Sequence, residues 1–477
     1  MNTSKTNIFF GILMLAFSFS GFAQQELKGK VSDFLTFAPI ESASVYVDKS
    51  TVGTISNMDG KFSLRVPIAL VNDTLVISSI GYKSFKVVVS DFDPAFDIFL
   101  EEDMASLDEV LIIAETRPKT GNDIVLRAIE DLADNLPEQP YLQKGFLRHK
   151  ERNTKEYKWL IESAITLYDS SYASGAKKNL KINVDETRKS YDLREVDSLF
   201  AYYSYLKNTI PRFNTKSKAM RRDTIKTQTL VDAIRWNDTR TNGLDILFRG
   251  RLNLIRNAAD KGALFGEDVL STHQFKLDTV QVINDRKIYK IAISKGLDFA
   301  GLKTDRVYNE GFEPNGWIYI YWDTFAIKKI EYNLVAASDK QRARSKSLLG
   351  TYENHKLIIT YMEYQDKMYP NYMYYESPKL LNLGDRSSEA WKKTKEQLAR
   401  EKEEQFYYAV QEILFTEIIQ DSESIADALA TKEWSEDIFS PRPYNEDFWS
   451  DYNVLLESEE EDQLIRDLSN RVSLFKE

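Results

Sequence analysis

From Leu27 to Leu100 apolar and polar residues alternate in short runs. In "SASVYVDK" Ala43, Val45 and Val47 fall on one face, and in "GKFSLRV" Phe62, Leu64 and Val66 do the same. "DTLVISS", "SFKVVVS" and "FDIFL" come next, with turn residues between them. A period of two over such runs marks half-buried strands. About seven strands at this spacing predict an all-β sandwich over residues 25–101. In "TVGTISNMDGKFSLRV", Asp59-Gly60 predicts a hairpin turn, because glycine accepts positive φ. Gly81 in "SSIGYKS" plays a similar part.

Residues 102–121 read as a linker, with "LEED" and then "ETRPKTG". The period then changes. Ile124, Val125, Ala128, Ile129, Leu132 and Leu136 recur at helical spacing after a cap at Asn122 or Asp123, and Pro137 and Pro140 end the helix. Strand patterns return in "QKGFLRHKE", "WLIESAITLYD", "HQFKLDTVQVI", "RKIYKIAIS", "GWIYIYWD", "FAIKKIEYNL" and "KLIITYMEYQDK". Turns with glycine or aspartate between them predict an antiparallel meander. A charged helix from about Ser388 to Gln405 and a strand in "YYAVQEILFTEII" are expected next. The predicted fold is therefore two-domain. An N-terminal all-β sandwich precedes an α+β domain over residues 122–420, which has a curved antiparallel sheet and helices. Residues 421–477 form an acidic C-terminal segment. It holds a short aromatic anchor, "YNEDFWSDYNVLL", and a terminal helix with Leu464, Ile465, Leu468, Val472 and Leu474 on its apolar side.

Before all this, Ile8 to Phe19 is an apolar run preceded by Lys5, with Gly21 and Ala23 after it. That is the pattern of a cleaved secretory signal over residues 1–23, and the run is too short for a membrane span. No later segment has the length of a membrane-spanning helix, so none is expected in the mature chain. There is no cysteine, which excludes disulfides, thiolate catalysis and a lipid on an N-terminal cysteine. The chain has 63 Lys and Arg against 73 Asp and Glu, which argues against nucleic acid as a partner. From Asp385 to Glu477 there are 24 acidic and 11 basic residues, 11 − 24 = −13, so the acidity is concentrated at the end.

The stretch "GKVSDFLTFAPIESASVYVDKSTVGTISNMDGKFSLRV" with "LVISSIGYKSFKVVV" resembles the carboxypeptidase-regulatory-like domain. Pro39 before "ASVYV", the "T-x-S-N-x-D-G-x-F" turn with Phe62, and "S-x-x-G-Y" carry the resemblance. It implies a transthyretin-like sandwich of the kind found at the front of Gram-negative envelope proteins, TonB-dependent receptors among them. "SLDEVLII", Ser106 to Ile113, resembles the segment after this domain in those receptors. A receptor barrel of about 22 strands does not fit in the remaining length. "GWIYIYWDTFAIKKIEYNL" is similar to a hairpin of periplasmic lipoprotein-carrier-like half-barrels, and "Y-N-x-D-F-W-x-x-Y-N" resembles tails of other envelope proteins with the same first domain.

The sequence offers few candidate sites. Trp317, Tyr319 and Tyr321 share one strand face and Ile318, Ile320 and Trp322 the other, so one side of the sheet either packs or lines a hollow for an apolar ligand. Lys207 to Lys226 holds seven basic residues and one acidic, and Arg212, Lys216, Lys218, Arg221 and Arg222 form a candidate patch for lipid phosphates or another anionic partner. His149, His273 and His355 lack metal-binding spacing and read as surface or strand residues. No nucleophile elbow, phosphate loop or dinucleotide fingerprint is present. No catalytic residue, metal or cofactor is expected. The expected role is non-catalytic: an exported periplasmic or outer-membrane-associated protein that binds a hydrophobic or envelope component, a lipid or glycolipid, or docks to outer-membrane partners. A pure scaffold and an envelope hydrolase using a carboxylate pair are the alternatives.

Overall fold

The computed structural model describes residues 24–95, 97–103, 117–152, 156–190, 202, 205–206, 226–304, 307–349, 351–380, 394, 406–440, 442–459 and 462–469. Residues 1–23, Ser106–Ile113 and nearly all of Ser388–Gln405 lie outside them. Among the described residues the protein is mostly β, with fewer residues in helices, the longest of them Thr227–Asn242.

The first seven strands are β1 (Gln24–Asp33), β2 (Ser44–Val47), β3 (Gly53–Ile55), β4 (Lys61–Pro67), β5 (Thr74–Ser78), β6 (Phe85–Val88) and β7 (Ile98–Leu100). They form two sheets, ordered β4-β1-β7 and β3-β2-β5-β6. Val31, Val45, Val47, Leu64, Val66, Leu75 and Ile77 are fully buried between them, as the alternation requires. The expected Asp59-Gly60 hairpin is not one. β3 pairs with β2, and β4 pairs with β1, so this turn carries the chain from one sheet to the other. Gly60 has φ +74°, and a Cβ there would sit 2.2 Å from the Val31 carbonyl oxygen. Closeness to β1, as well as the positive φ, requires glycine.

Eleven strands make one large sheet: β8 (Tyr141–Arg152), β9 (Tyr157–Asp169), β10 (Leu180–Lys189), β11 (His273–Ile283), β12 (Arg286–Lys295), β13 (Ala300–Thr304), β14 (Val307–Tyr321), β15 (Ile327–Ala336), β16 (His355–Tyr364), β17 (Lys367–Leu380) and β18 (Phe406–Ile419). The order is β10-β9-β8-β18-β17-β16-β15-β14-β12-β11, with β13 beside β14, and these pairings are antiparallel. Seven single-residue register shifts leave Lys158, Asp185, Asp278, Gly311, Lys328, Asn371 and Thr416 without a cross-strand partner in those ladders. Such bulges bend a strand and increase its twist, which curves a wide sheet.

The two faces are covered differently. On the inner face lies the helix Gly121–Glu130, whose Ile124, Val125 and Ala128 are fully buried with Leu247, Phe248 and Phe265 against Ile318, Ile320 and Ile330. Its cap is Thr120, which accepts from the Asp123 N–H, and not Asn122 or Asp123. Asn122 instead accepts from Phe275 N–H on β11 and ties the helix to the sheet. His273 also belongs to this core. It bonds the Tyr332 hydroxyl at 2.8 Å, and burial draws its pKa down to about 4.

On the outer face sit the sandwich and the C-terminal segment. Gly81 N–H donates to Val282 O at 2.8 Å, Asn284 donates to the Tyr46 hydroxyl, and Ser84 donates to Asn284. The "YNEDFWSDYN" anchor straddles both parts. Asn445 caps the helix Glu446–Asp451. Trp449 and Leu455 then pack in one cluster with Phe146, Ala164 and Leu414 of the sheet and Ile55 of the sandwich. The Asn453 amide engages both the N–H and the carbonyl of Arg65 on the β4 edge, and Asn57 donates to Glu457 O. The terminal helix Asp462–Ser469 presses Leu464 and Leu468 onto Leu160, while Val472 and Leu474 lie outside the described residues.

This packing generates two predictions. Trp449→Ala removes the centre of the outer cluster and is expected to lower the unfolding free energy by about 3–5 kcal/mol in urea denaturation. For His273, the unfolded chain takes up its proton near pH 6.5 and the folded chain only near 4, so stability falls as pH drops through that window. A His273→Phe variant is expected to show a shallower fall in Tm between pH 6.5 and 4.

Candidate functional site

The inner face of the sheet is filled. Phe248, Phe265, Tyr332 and Phe415 are almost wholly buried there, and the cavity lined by Leu136, Tyr141, Phe248, Tyr361 and Met373 is about 30 Å³. That is about one water molecule. A hollow for an apolar ligand typically needs hundreds of cubic ångströms, far more than this cavity offers.

The roomier clefts lie on the other face, under the sandwich. Ile318 and Ile320 point into the inner core, which turns Tyr319 and Tyr321 outward. Tyr321 lines a cleft of about 470 Å³ together with Tyr46, Lys49, Asn284, Arg286, Lys328 and Glu363. Tyr319 lines a neighbouring cleft of about 150 Å³ with Ser42, Ser79, Lys290, Lys328, Lys329 and Thr360. Ser44 and Lys328 belong to both. Trp317, on the same face, is half-buried, and Lys290 Nζ stands 4.1 Å from its ring centre. Tyr319 and Tyr321 therefore face the joint between sandwich and sheet, and a cation stands over the ring of each of the three aromatic residues. Arg286 lies 4.0 Å from the centre of the Tyr321 ring and holds Asp323 with two hydrogen bonds and Glu363 with a third.

Two sheet bulges supply this joint. The register passes from Tyr319↔Lys329 to Ile320↔Ile327 and skips Lys328, and it passes from Thr360↔Tyr372 to Tyr361↔Pro370 and skips Asn371. Both skipped residues line the larger cleft. In an unbroken β15, Lys328 would share the inner face with Ile330, Tyr332 and Leu334; the bulge turns it outward. Its Nζ donates to Tyr361 O, and among the described residues no carboxylate stands within ion-pair distance. Burial is the main cause that draws its pKa down to about 8, with Arg286 and Lys329 adding to the effect and Glu363 opposing it. The sequence did hold a signal for this residue, namely a lysine at an inward-phase position of a strand.

A third cleft of about 250 Å³ holds Lys150, Tyr372, Tyr374, Glu376 and Glu412. Glu412 pairs with Lys150 at 2.7 Å and accepts from Tyr372, and Glu376 accepts from Tyr374 at 2.6 Å. The Glu412 environment sums to a lowered pKa, because Lys150 and Arg148 outweigh its burial. A general acid needs the opposite shift. The three histidines are strand residues, as expected, but buried and not on the surface. His149 meets Glu151, His273 meets Tyr332, and His355 meets Tyr375. Arg212, Lys216, Lys218, Arg221 and Arg222 lie outside the described residues.

The sandwich also displays an apolar knob, which the strand pattern did not single out. After β1, Asp33 Oδ1 accepts from the N–H groups of Leu35 and Thr36 and from the Thr36 hydroxyl. The turn they fix exposes Phe34 by 51%, Leu35 by 73% and Phe37 by 68%, with Phe99 at 39% beside them. Phe37 packs edge-on to Phe99 at 5.6 Å and has φ +59°, a conformation that costs a non-glycine residue energy.

Comparison with known proteins agrees with the sandwich. Residues 27–112 match the CarboxypepD_reg-like domain. A stretch of 124 residues is 36% identical to the TonB-dependent receptor SusC of Bacteroides thetaiotaomicron, covering 25% of this chain. The chain spans only 12% of that receptor. Among solved structures, a LolA superfamily protein from Nitrosomonas europaea aligns with 67% of this chain and 100% of its own, at 9% identity and a TM-score of 0.22. That score is too low to carry an argument about the fold.

Lys328 gives the site a pH signature. Between pH 8 and 10.5 the folded state has released this proton and the unfolded state still holds it, so the penalty of the buried charge disappears as pH rises. Lys328→Met is expected to be more stable than the wild type at pH 7, by up to about 3 kcal/mol. Denaturation at pH 7, 9 and 10 checks whether that advantage shrinks with rising pH.

Proposed function

We propose that this is a non-catalytic protein of the cell envelope that docks to an outer-membrane or envelope partner through its N-terminal sandwich. The apolar knob carries this reading. Four large apolar side chains on one turn and the neighbouring strand exceed the scattered exposure usual for a soluble surface. A hydrogen-bonded turn presents them rigidly, which lowers the entropy lost on docking. The CarboxypepD_reg-like domain and its similarity to a TonB-dependent receptor support an envelope or outer-membrane setting. The signal-like first residues support export.

In this reading residues 25–101 are the docking domain, and the sheet-bearing region is a second domain to which the C-terminal anchor fastens it. The filled inner face favours docking over carriage of a lipid within the sheet. The lowered pKa of Glu412, the ion-paired carboxylate of the third cleft, does not favour a hydrolase reading there.

The triple variant Phe34→Ser, Leu35→Ser and Phe37→Ser tests the proposal. These side chains are exposed, so stability is expected to change by no more than about 0.5 kcal/mol. On fractionation of the envelope, the wild type is expected with the outer membrane and the variant in the soluble periplasmic fraction. A variant that stays with the membrane as firmly as the wild type would count against the knob.

A further inference from the structure

We infer that the joint between the sandwich and the large sheet binds a small hydroxylated molecule through a carboxylate or phosphate group, held by Lys328 and Thr360. Three observations point to it. First, Lys328 is nine-tenths buried, its hydrogen bond is to the Tyr361 carbonyl, and no carboxylate among the described residues forms an ion pair with it. An ammonium has three donors, and a buried cation without a counter-charge is costly. Second, the Thr360 hydroxyl is buried and has no hydrogen-bond partner among the described residues. It lines the same cleft of about 150 Å³ as Lys328. Third, the charge there is lopsided. Lys290, Lys328 and Lys329 line this cleft against Glu41 alone, although Lys329 pairs with Glu331 at 2.7 Å and Lys290 stands 3.9 Å from Asp278.

The volume suits the assignment. About 150 Å³ is about five waters, room for an oxyanion group and little more. Lys328 opens on its other side to the cleft of about 470 Å³, where Asn284, Asn371, Ser50, Asp48 and Asp366 offer donors and acceptors. Such a lining suits neutral hydroxyls. The ligand would therefore set its anionic end at Lys328 and Thr360 and its hydroxylated body among these residues. The sandwich supplies Ser42, Ser44 and Ser79 to the walls, so the site exists only while sandwich and sheet are joined. This inference is independent of the docking role of the knob.

The test uses the purified full chain, with inorganic phosphate, glucose 1-phosphate and glucuronate as probes and potassium chloride at matched ionic strength as control. Thermal shift and titration calorimetry are the readouts. At least one probe is expected to raise Tm above the chloride control and to bind with a measurable Kd. Lys328→Met is expected to weaken that binding at least tenfold, and Thr360→Val about three- to tenfold. A response to phosphate and glucose 1-phosphate alone assigns a phosphate ester, and a response to glucuronate alone assigns a carboxylate. No response beyond chloride, or binding that Lys328→Met leaves unchanged, overturns the inference. If Lys328→Met does not fold, Thr360→Val decides: unchanged binding overturns the inference, and weakened binding upholds it.

Discussion

Trp449 packs edge-on against Phe146 at 6.4 Å, in a cluster that also contains Ile55 of the sandwich. Much of the structure depends on this contact. A wide antiparallel sheet must have both faces accounted for. Helices around Ile124 and Phe248 close the inner face of this one. The outer face is closed by pieces distant in the chain, and Trp449 is where sandwich, sheet and C-terminal segment meet. The clefts along the joint exist because that cover is incomplete.

Under this cover the sheet carries charges where an ordinary core would be apolar. Glu162 is fully buried and takes Arg148 at 2.8 Å and Arg188 at 2.6 Å, from the strands on either side. Arg148 also donates to Leu455 O, and Arg188 lies 4.6 Å from the centre of the Trp449 ring. Buried pairs of this kind add little net stability, because desolvation offsets their attraction. Their effect is on position: a carbonyl and an aromatic face are each assigned a partner, which sets the register of the segment on the sheet. Lys328 stands in contrast, buried beneath the same kind of cover without such a counter-charge among the described residues.

The bulges link fold to site. Two of the seven place a polar residue, Lys328 and Asn371, where the ladder would have placed a cross-strand pair, and both line the larger cleft. A curved sheet needs such interruptions. Here the same interruption that bends β15 also turns an ammonium out of the core and under the sandwich.

The strands, the sandwich and the aromatic anchor were legible in the amino-acid order alone, because period-two alternation and turn chemistry are local and survive in any tertiary context. Ala43, Val45 and Val47 had to be buried together, and they are. The partners of the strands were not local. Nothing in "SNMDGKF" distinguishes a hairpin from a crossing between sheets, since both need Gly60, and pairing with β1 makes the difference. The faces of Tyr319 and Tyr321 were legible from alternation, but their cover was not. That depended on a sandwich more than 200 residues away. Lys328 was visible as a lysine out of phase, yet its burial without an ion-paired carboxylate among the described residues arises only when bulge, sheet and sandwich are assembled. Its state belongs to the assembled fold, because the electrostatic cost of a buried charge depends on everything packed around it.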